Sequence, residues 1–278
     1  VRTIAFAKGH GTENDFVLLP DPDGLLELDV RMVAELCHRH RGIGADGVLR
    51  VVRSTHFDGA PADAEWFMDY RNADGSIVEM CGNGVRVFAR FLREEGLVDG
   101  RHVPIGTRAG TKLATFEDDG TITVDMGPPQ LLGISHTTVG ETPVMGTAIS
   151  MGNPHLACDL AGTGLSVAGL SLLEEPEYDA DFFPEGVNQE FYTDSEPLPG
   201  YDAHVHMRVH ERGVGETRSC GTGICAVAVA ALRRSERDSG AVVVDVPGGR
   251  LHVDVSPERV LLRGPAVVVA RGTWNDPR

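Results

Sequence analysis

Two stretches of this chain are apolar on nearly every face of a helix, and the same four-residue pattern introduces both. Cys81-Gly82-Asn83-Gly84 opens the first, where only Arg86 and Arg90 interrupt Val85, Val87, Phe88, Ala89, Phe91 and Leu92. Cys220-Gly221-Thr222-Gly223 opens the second, which is apolar from Ile224 to Leu232. A helix that is apolar all round must be buried all round. Short strand-like runs separated by Gly, Pro and Asp supply the cover: Thr3–Ala7, Phe16–Leu19, Val48–Val52, Glu65–Tyr70, Thr121–Asp125, His204–Val209, Ala241–Val246, Val260–Leu262 and Ala266–Ala270. The expected architecture is therefore a sheet curled around each helix. Helices are expected over about Gly84–Glu95 and Thr222–Arg234, from the N-cap Asp29 to about His38, and, as a minor element, near Val167–Leu173.

The two patterns lie 139 residues apart, at 81 and 220, in a chain of 278. Asn14 and Asn153 share that offset, as do Asn72 and Glu211, each nine residues before its cysteine. Three landmarks at half the chain length read as an internal duplication, two pseudo-symmetric copies of one α+β unit.

A cysteine at a helix start feels the positive end of the helix dipole. Such positions lower a thiol from about 8.5 to about 3.5–7.5. The glycines that follow allow unusual dihedrals and bring free backbone N–H groups close to a carboxylate. They read as an exposed turn, so Cys81 and Cys220 are set apart from Cys37, Cys158 and Cys225, which read as buried structural residues. One such thiol is a nucleophile. Two related by pseudo-symmetry suit inversion of a carbon centre, one removing a proton from one face and the other returning a proton on the opposite face. Both dipoles then stabilise the charge that develops when the proton leaves.

Other chemistries find less support. A formal net charge of −16 repels phosphate backbones, so nucleic acid is excluded as a partner. No apolar run approaches the roughly 20 residues of a membrane span, and the first residues lack the pattern of a secretory signal. Five cysteines with no Cys-x-x-Cys pair give neither a disulfide framework nor a zinc site, and a reducing cytoplasm is expected. Pyridoxal phosphate needs a lysine, and nothing around Lys8 or Lys112 forms a phosphate cradle. No nucleotide-binding glycine motif is present.

The chain resembles the diaminopimelate epimerase family. The resemblance is carried by Asn72-Ala-Asp74-Gly75-Ser76 before Cys81-Gly-Asn83-Gly84-Val-Arg86, and by His210-Glu211-Arg212-Gly213-Val-Gly215-Glu216-Thr217 before Cys220-Gly221-Thr222-Gly223. Further matches are Gly11-Thr-Glu-Asn14-Asp15-Phe16, Gly42-Ile-Gly44-Ala-Asp46-Gly47, Gly152-Asn153-Pro154-His155 and Gly186-Val187-Asn188. They follow the family's order along most of the chain.

What the resemblance implies is an isomerase with two similar domains and the active site in the cleft between them. The N-terminal domain would span 1–125, completed by a strand in 264–278, and the C-terminal domain 126–263. The family interconverts LL- and meso-2,6-diaminopimelate in lysine and peptidoglycan precursor synthesis, without cofactor or metal and typically as a homodimer. Cys81 and Cys220 match its acid–base pair. Asn14, Asn72, Asn153, Asn188, Glu211, Arg212 and the backbone N–H groups of Gly82, Asn83, Gly221 and Thr222 match its substrate contacts. His155 and Glu211 match positions that tune the thiols. The chemistry agrees: Arg212 can grip a distal carboxylate bidentately, and Glu211 suits an ammonium. Two departures concern substrate contacts: Gly47 stands where many members carry Gln, and Thr12-Glu13 replaces the commoner Leu-Gly.

Three alternatives remain at this stage. A proline racemase-like enzyme shares the paired thiols but usually has His at position 83 and lacks the Asn-Ala-Asp-Gly-Ser run. An amino-acid-binding protein without turnover leaves the thiols unused. An isomerase of related fold acting on a larger substrate does without the cysteine pair.

Overall fold

The structure, a computed structural model, describes residues 2–276. The chain forms two compact units: Asp125–Arg263, and the preceding chain together with the segment from Gly264 onward. Residues 277 and 278 of the expected 264–278 segment lie outside the described residues.

The first unit contains β1 (Arg2–Gly11), β2 (Asn14–Pro20), α1 (Val30–Cys37), β3 (Gly47–Arg53), β4 (Trp66–Asn72), α2 (Gly82–Glu94), β5 (His102–Thr107), β6 (Gly110–Phe116), β7 (Ile122–Asp125) and, returning from the chain end, β18 (Val267–Asp276). The second contains β8 (Gln130–Val139), β9 (Thr142–Ser150), β10 (Pro154–Asp159), β11 (Glu177–Tyr178), β12 (Asn188–Asp194), β13 (Ala203–Glu211), β14 (Gly215–Thr217), α3 (Gly221–Arg234), β15 (Gly240–Val246), β16 (Gly249–Val255) and β17 (Val260–Gly264).

Each unit is a mixed, mostly antiparallel sheet around one buried helix, and the pairings repeat. In the first, β18, β1 and β2 pair antiparallel, β2–β3 parallel, β3–β4 antiparallel, β4–β5 parallel, and β5, β6 and β7 antiparallel. In the second, β8, β9 and β10 pair antiparallel, β10–β12 parallel, β12–β13 antiparallel, β13–β15 parallel, and β15, β16 and β17 antiparallel. The parallel steps need crossovers, and α2 and α3 are the crossovers from β4 to β5 and from β13 to β15.

The apolar patterning explains the burial. α3 is buried at every residue from Gly221 to Leu232 and contacts β9, β10, β12, β13, β15 and β16. α2 is buried from Gly82 to Leu92 except Arg90, and contacts β1–β6 and β18. Each fully buried Val, Leu or Phe side chain contributes about 1.5–3 kcal/mol, so packing rather than propensity holds these helices.

The outer face of each sheet is covered differently. In the first unit α1, capped where Asp29 accepts from Met32 N, lays Met32, Val33 and Leu36 over Val17, Leu19 and Val48. In the second, the helix expected near Val167–Leu173 is a single 3-10 turn, Val167–Gly169, capped by Ser166. Gly164, Gly169 and the Leu172-Leu173-Glu174 exit give no continuous apolar stripe, and Val167, Leu170, Leu172 and Phe183 pack as an irregular cover. Lys112 lies within β6, which pairs with β5. β18 runs beyond the expected Ala266–Ala270 because β1 pairs along it to Asp276. Among the described residues no helix is long and apolar enough to cross a membrane.

Candidate active site

Both helices begin two or one residues earlier than the apolar pattern predicts, because each cysteine is itself the N-cap. Cys81 has φ −143° and ψ 120°, and its Sγ accepts from Gly84 N at 3.4 Å. Cys220 has φ −120° and ψ 113°. The glycines after them therefore belong to the first helical turn. None of Gly82, Gly84, Gly221 and Gly223 has a positive φ, so they do not serve the unusual dihedrals expected of them. Space decides at one of them. A Cβ on Gly223 would lie 2.5 Å from Glu190 Oε1, whereas one on Gly84 would meet nothing closer than 3.5 Å.

The Cys81 cluster is a chain of amides ending on a buried cation. The Cys81 thiol donates to Asn14 Oδ1 at 3.7 Å, and Asn83 Nδ2 donates to the same oxygen at 3.2 Å. Asn14 Nδ2 donates to Asp46 Oδ2 at 2.8 Å. Arg86, fully buried in α2, donates from Nη2 to Asn83 Oδ1 at 2.8 Å and from Nε to Pro265 O at 3.3 Å. The hairpin of β1 and β2 places Asn14 here by pairing it with Gly11. Thr12 and Glu13 are its two turn residues, with φ 50° and 63°. Both are left-handed, as a type I′ turn requires, without the glycine that usually serves there.

Asn72 is held in its own turn: Tyr70 Oη donates to Asn72 Oδ1 at 3.0 Å, and Asn72 Nδ2 donates to Ser76 Oγ at 3.0 Å. Gly47 cannot take a side chain in this arrangement, since a Cβ would lie 2.5 Å from Arg71 O and 2.7 Å from Tyr70 Cε2. The Tyr70 ring occupies the space where a longer residue at 47 would begin.

The Cys220 cluster is acidic. Cys220 Sγ lies 3.5 Å from Thr222 Oγ1. The residue is 7% exposed, not the open turn its glycines suggested, while Cys81 is half-buried. Burial first, then the Glu211 and Glu190 carboxylates, hold the Cys220 thiol well above its ordinary range, against the pull of Thr222 and Gly223 N–H. Desolvation thus outweighs the helix dipole here, the reverse of the sequence expectation. Burial also raises the Glu211 carboxyl, which the Thr217 hydroxyl and the Cys220 thiol partly offset. Glu211 Oε1 accepts from Thr217 Oγ1.

His155 is fully buried, with Nδ1 2.7 Å from Glu190 Oε1 and Nε2 3.0 Å from Asn153 Oδ1. Asn188 is anchored to backbone at both ends of its amide, each with one position left over: Nδ2 donates to Pro154 O at 3.1 Å and Oδ1 accepts from Arg212 N at 3.0 Å. Arg212 is exposed, donates from Nη1 to Glu185 O at 2.7 Å, and has no carboxylate partner among the described residues. Its stem lies against Gly186, where a Cβ would be 2.7 Å from Arg212 Cδ.

The structure thus gathers Asn14, Asn83 and Cys81 in one unit, and Cys220, Thr222, Glu211, His155 and Asn153 in the other. It ties Asn188 to Arg212, and pairs Asn72 with Gly47, next to the Asp46 that binds Asn14. Arg86, Asp46, Tyr70 and Glu190 were not among the expected site residues. Glu190 carried one signal in the sequence, a charge two residues after Asn188 and directly before the aromatic pair Phe191-Tyr192. Cys37, Cys158 and Cys225 are buried, and burial pushes the Cys37 thiol up to about 12.

Against known proteins, the family profile described as diaminopimelate epimerase matches residues 6–132 and 147–269. The chain is 53% identical to diaminopimelate epimerase of Thermobifida fusca, covering 97% of each chain. It is 52% identical to that of Rhodococcus jostii, covering 98% of this chain and 97% of the other. Among solved structures, a hydroxyproline epimerase from Agrobacterium vitis superposes with a TM-score of 0.70 at 14% identity, covering 99% and 94% of the two chains, a likeness of fold.

Proposed function

The chain belongs to the diaminopimelate epimerase family, and from that premise we propose that it is an isomerase interconverting LL- and meso-2,6-diaminopimelate by two-thiol proton transfer. One observation carries the reading: two units with the same order of strand pairings each place a cysteine as the N-cap of a buried helix. In the LL-to-meso direction one thiolate takes the α-proton and the other thiol returns a proton to the opposite face; the reverse reaction exchanges the roles. The burial and carboxylates around Cys220 support its resting as the thiol, the acid partner.

The substrate carries two carboxylates and two ammonium groups. Backbone N–H groups of Gly82, Asn83, Gly221 and Thr222, in the first turns of α2 and α3, receive the reacting carboxylate and the charge spreading onto it. Arg212 takes the distal carboxylate and Glu211 an ammonium; Asn14, Asn72, Asn153 and Asn188 complete the contacts, with His155 tuning Cys220. A homodimer acting in lysine and peptidoglycan precursor synthesis fits this reading, and five free cysteines suit a reducing cytoplasm. The proline racemase-like alternative has only fold in its favour, against relatives identical at half of all positions.

Incubation with LL-diaminopimelate in heavy water tests the proposal. The expected result is meso product carrying one deuterium at the inverted carbon, with no exchange into proline. Binding of diaminopimelate without exchange would overturn it.

A further inference from the structure

Glu190 is a buried carboxylate to which the proposed reaction gives no substrate contact. It sits in β12 between Gln189 and Phe191, fully buried, and burial raises its carboxyl despite His155 beside it. Oε1 meets His155 Nδ1 at 2.7 Å, and Oε2 is buried with no hydrogen-bond partner among the described residues. An acid so placed costs stability, and an apolar residue would be cheaper. The first turn of α3 makes room for it, since any side chain at Gly223 would collide with Oε1.

What Glu190 holds is an orientation. His155 meets the acid with one ring nitrogen and Asn153 Oδ1 with the other, at 3.0 Å. An amide oxygen only accepts, so Nε2 carries a proton. Burial favours the neutral acid at Glu190, whose O–H then donates from Oε1 to Nδ1 and leaves the ring proton on Nε2. The Asn153 oxygen is thereby turned to the imidazole and its NH2 is left as the working end. The equivalent residue of the other unit is set the opposite way: the Asn14 NH2 is bound by Asp46 and its oxygen faces Cys81 and Asn83.

We infer that Glu190 is a positioning residue: through His155 it fixes Asn153 as a donor, so that this side chain receives a substrate carboxylate oxygen and not an ammonium. The inference rests on the reading of Asn153 as a substrate contact. The duplication is thus broken in function, with an acceptor amide at 14 and a donor amide at 153.

Two measurements test it. In the ligand-free wild-type protein at neutral pH, nitrogen NMR should find His155 Nε2 protonated; an unprotonated Nε2 requires the Asn153 amide to be reversed and overturns the inference. In a double-mutant cycle, Glu190→Leu and Asn153→Ala should each lower kcat/KM about tenfold, mainly through KM, and the pair should cost little more than either alone. Losses that multiply to about a hundredfold, or wild-type kinetics in either single variant, overturn it. A Glu190→Leu protein that does not fold leaves the spectrum to decide. Absence of turnover in the wild type fails the epimerase reading instead, and the NMR measurement needs no substrate.

Discussion

A Cβ on Gly223 would lie 2.5 Å from Glu190 Oε1, whereas one on Gly84, 139 residues earlier in the matching helix, would make only ordinary van der Waals contacts at 3.5 Å or more. The two glycines occupy the same place in the Cys-Gly-x-Gly pattern and answer to different constraints. Gly223→Ala should destabilise the protein by about 1–3 kcal/mol through overpacking and lower activity at least tenfold. Gly84→Ala should be neutral or stabilising by up to about 1 kcal/mol, since alanine is the better helix former. Denaturant unfolding of both variants checks the contrast, and equal effects would contradict it.

Arg86 is a buried cation whose role is to hold amides. Its Nη2 fixes Asn83, which in turn meets Asn14 beside Cys81. Arg86→Met should cost about 2–3 kcal/mol of stability from charge-assisted hydrogen bonds. Substrate affinity should fall with it, as Asn83 and Asn14 lose their register. A variant as stable as wild type would show that the guanidinium is not part of this network.

Much of this was legible from the chain alone. The offset of Cys81 and Cys220 and the apolar runs behind them give two sheets wrapped on two helices, because the strand-like runs that dominate the rest of the chain are the cover at hand for a helix without a polar face. The minor helix near Val167–Leu173 was not legible, since a few apolar residues look alike whether they cap a helix or pin a loop. The thiol environment was read from the helix dipole, a local quantity, whereas burial and two carboxylates from β12 and β13 decide it at Cys220. Glu190 and Tyr70 escaped for the same reason: their parts depend on which strand lies beside them, and motif spacing along the chain does not carry that.

The turn at Thr12-Glu13 carries a measurable strain. Glu13 has φ 63°, a left-handed conformation that costs a residue with a Cβ about 1 kcal/mol. Glu13→Gly should recover a good part of that in denaturant unfolding, even after the extra chain entropy of glycine. Unchanged or lower stability would contradict the assignment.

Asp15 links the same hairpin to acid stability. Burial pushes its carboxyl up, but hydrogen bonds from Arg39 and Lys8 outweigh this and hold it at about 2. Those bonds run from Arg39 Nη2 at 2.9 Å and Lys8 Nζ at 2.6 Å. The folded value lies below the unfolded value of about 3.9, so the stabilisation is complete above about pH 4 and is lost as pH falls toward about 2. Asp15→Asn should lose this at pH 7 and show a flatter stability profile between pH 4 and 2. A wild-type-like slope in that window would contradict it.

The two-thiol reaction itself is tested most directly by replacing each cysteine alone. With LL-diaminopimelate in heavy water, Cys81→Ala and Cys220→Ala should each lower formation of deuterated meso product by about a hundredfold to ten-thousandfold, the usual worth of a positioned acid or base. Fold and ligand affinity should survive in both. Product formation near the wild-type rate in either variant would contradict the account, because one remaining thiol cannot serve both faces of the carbon.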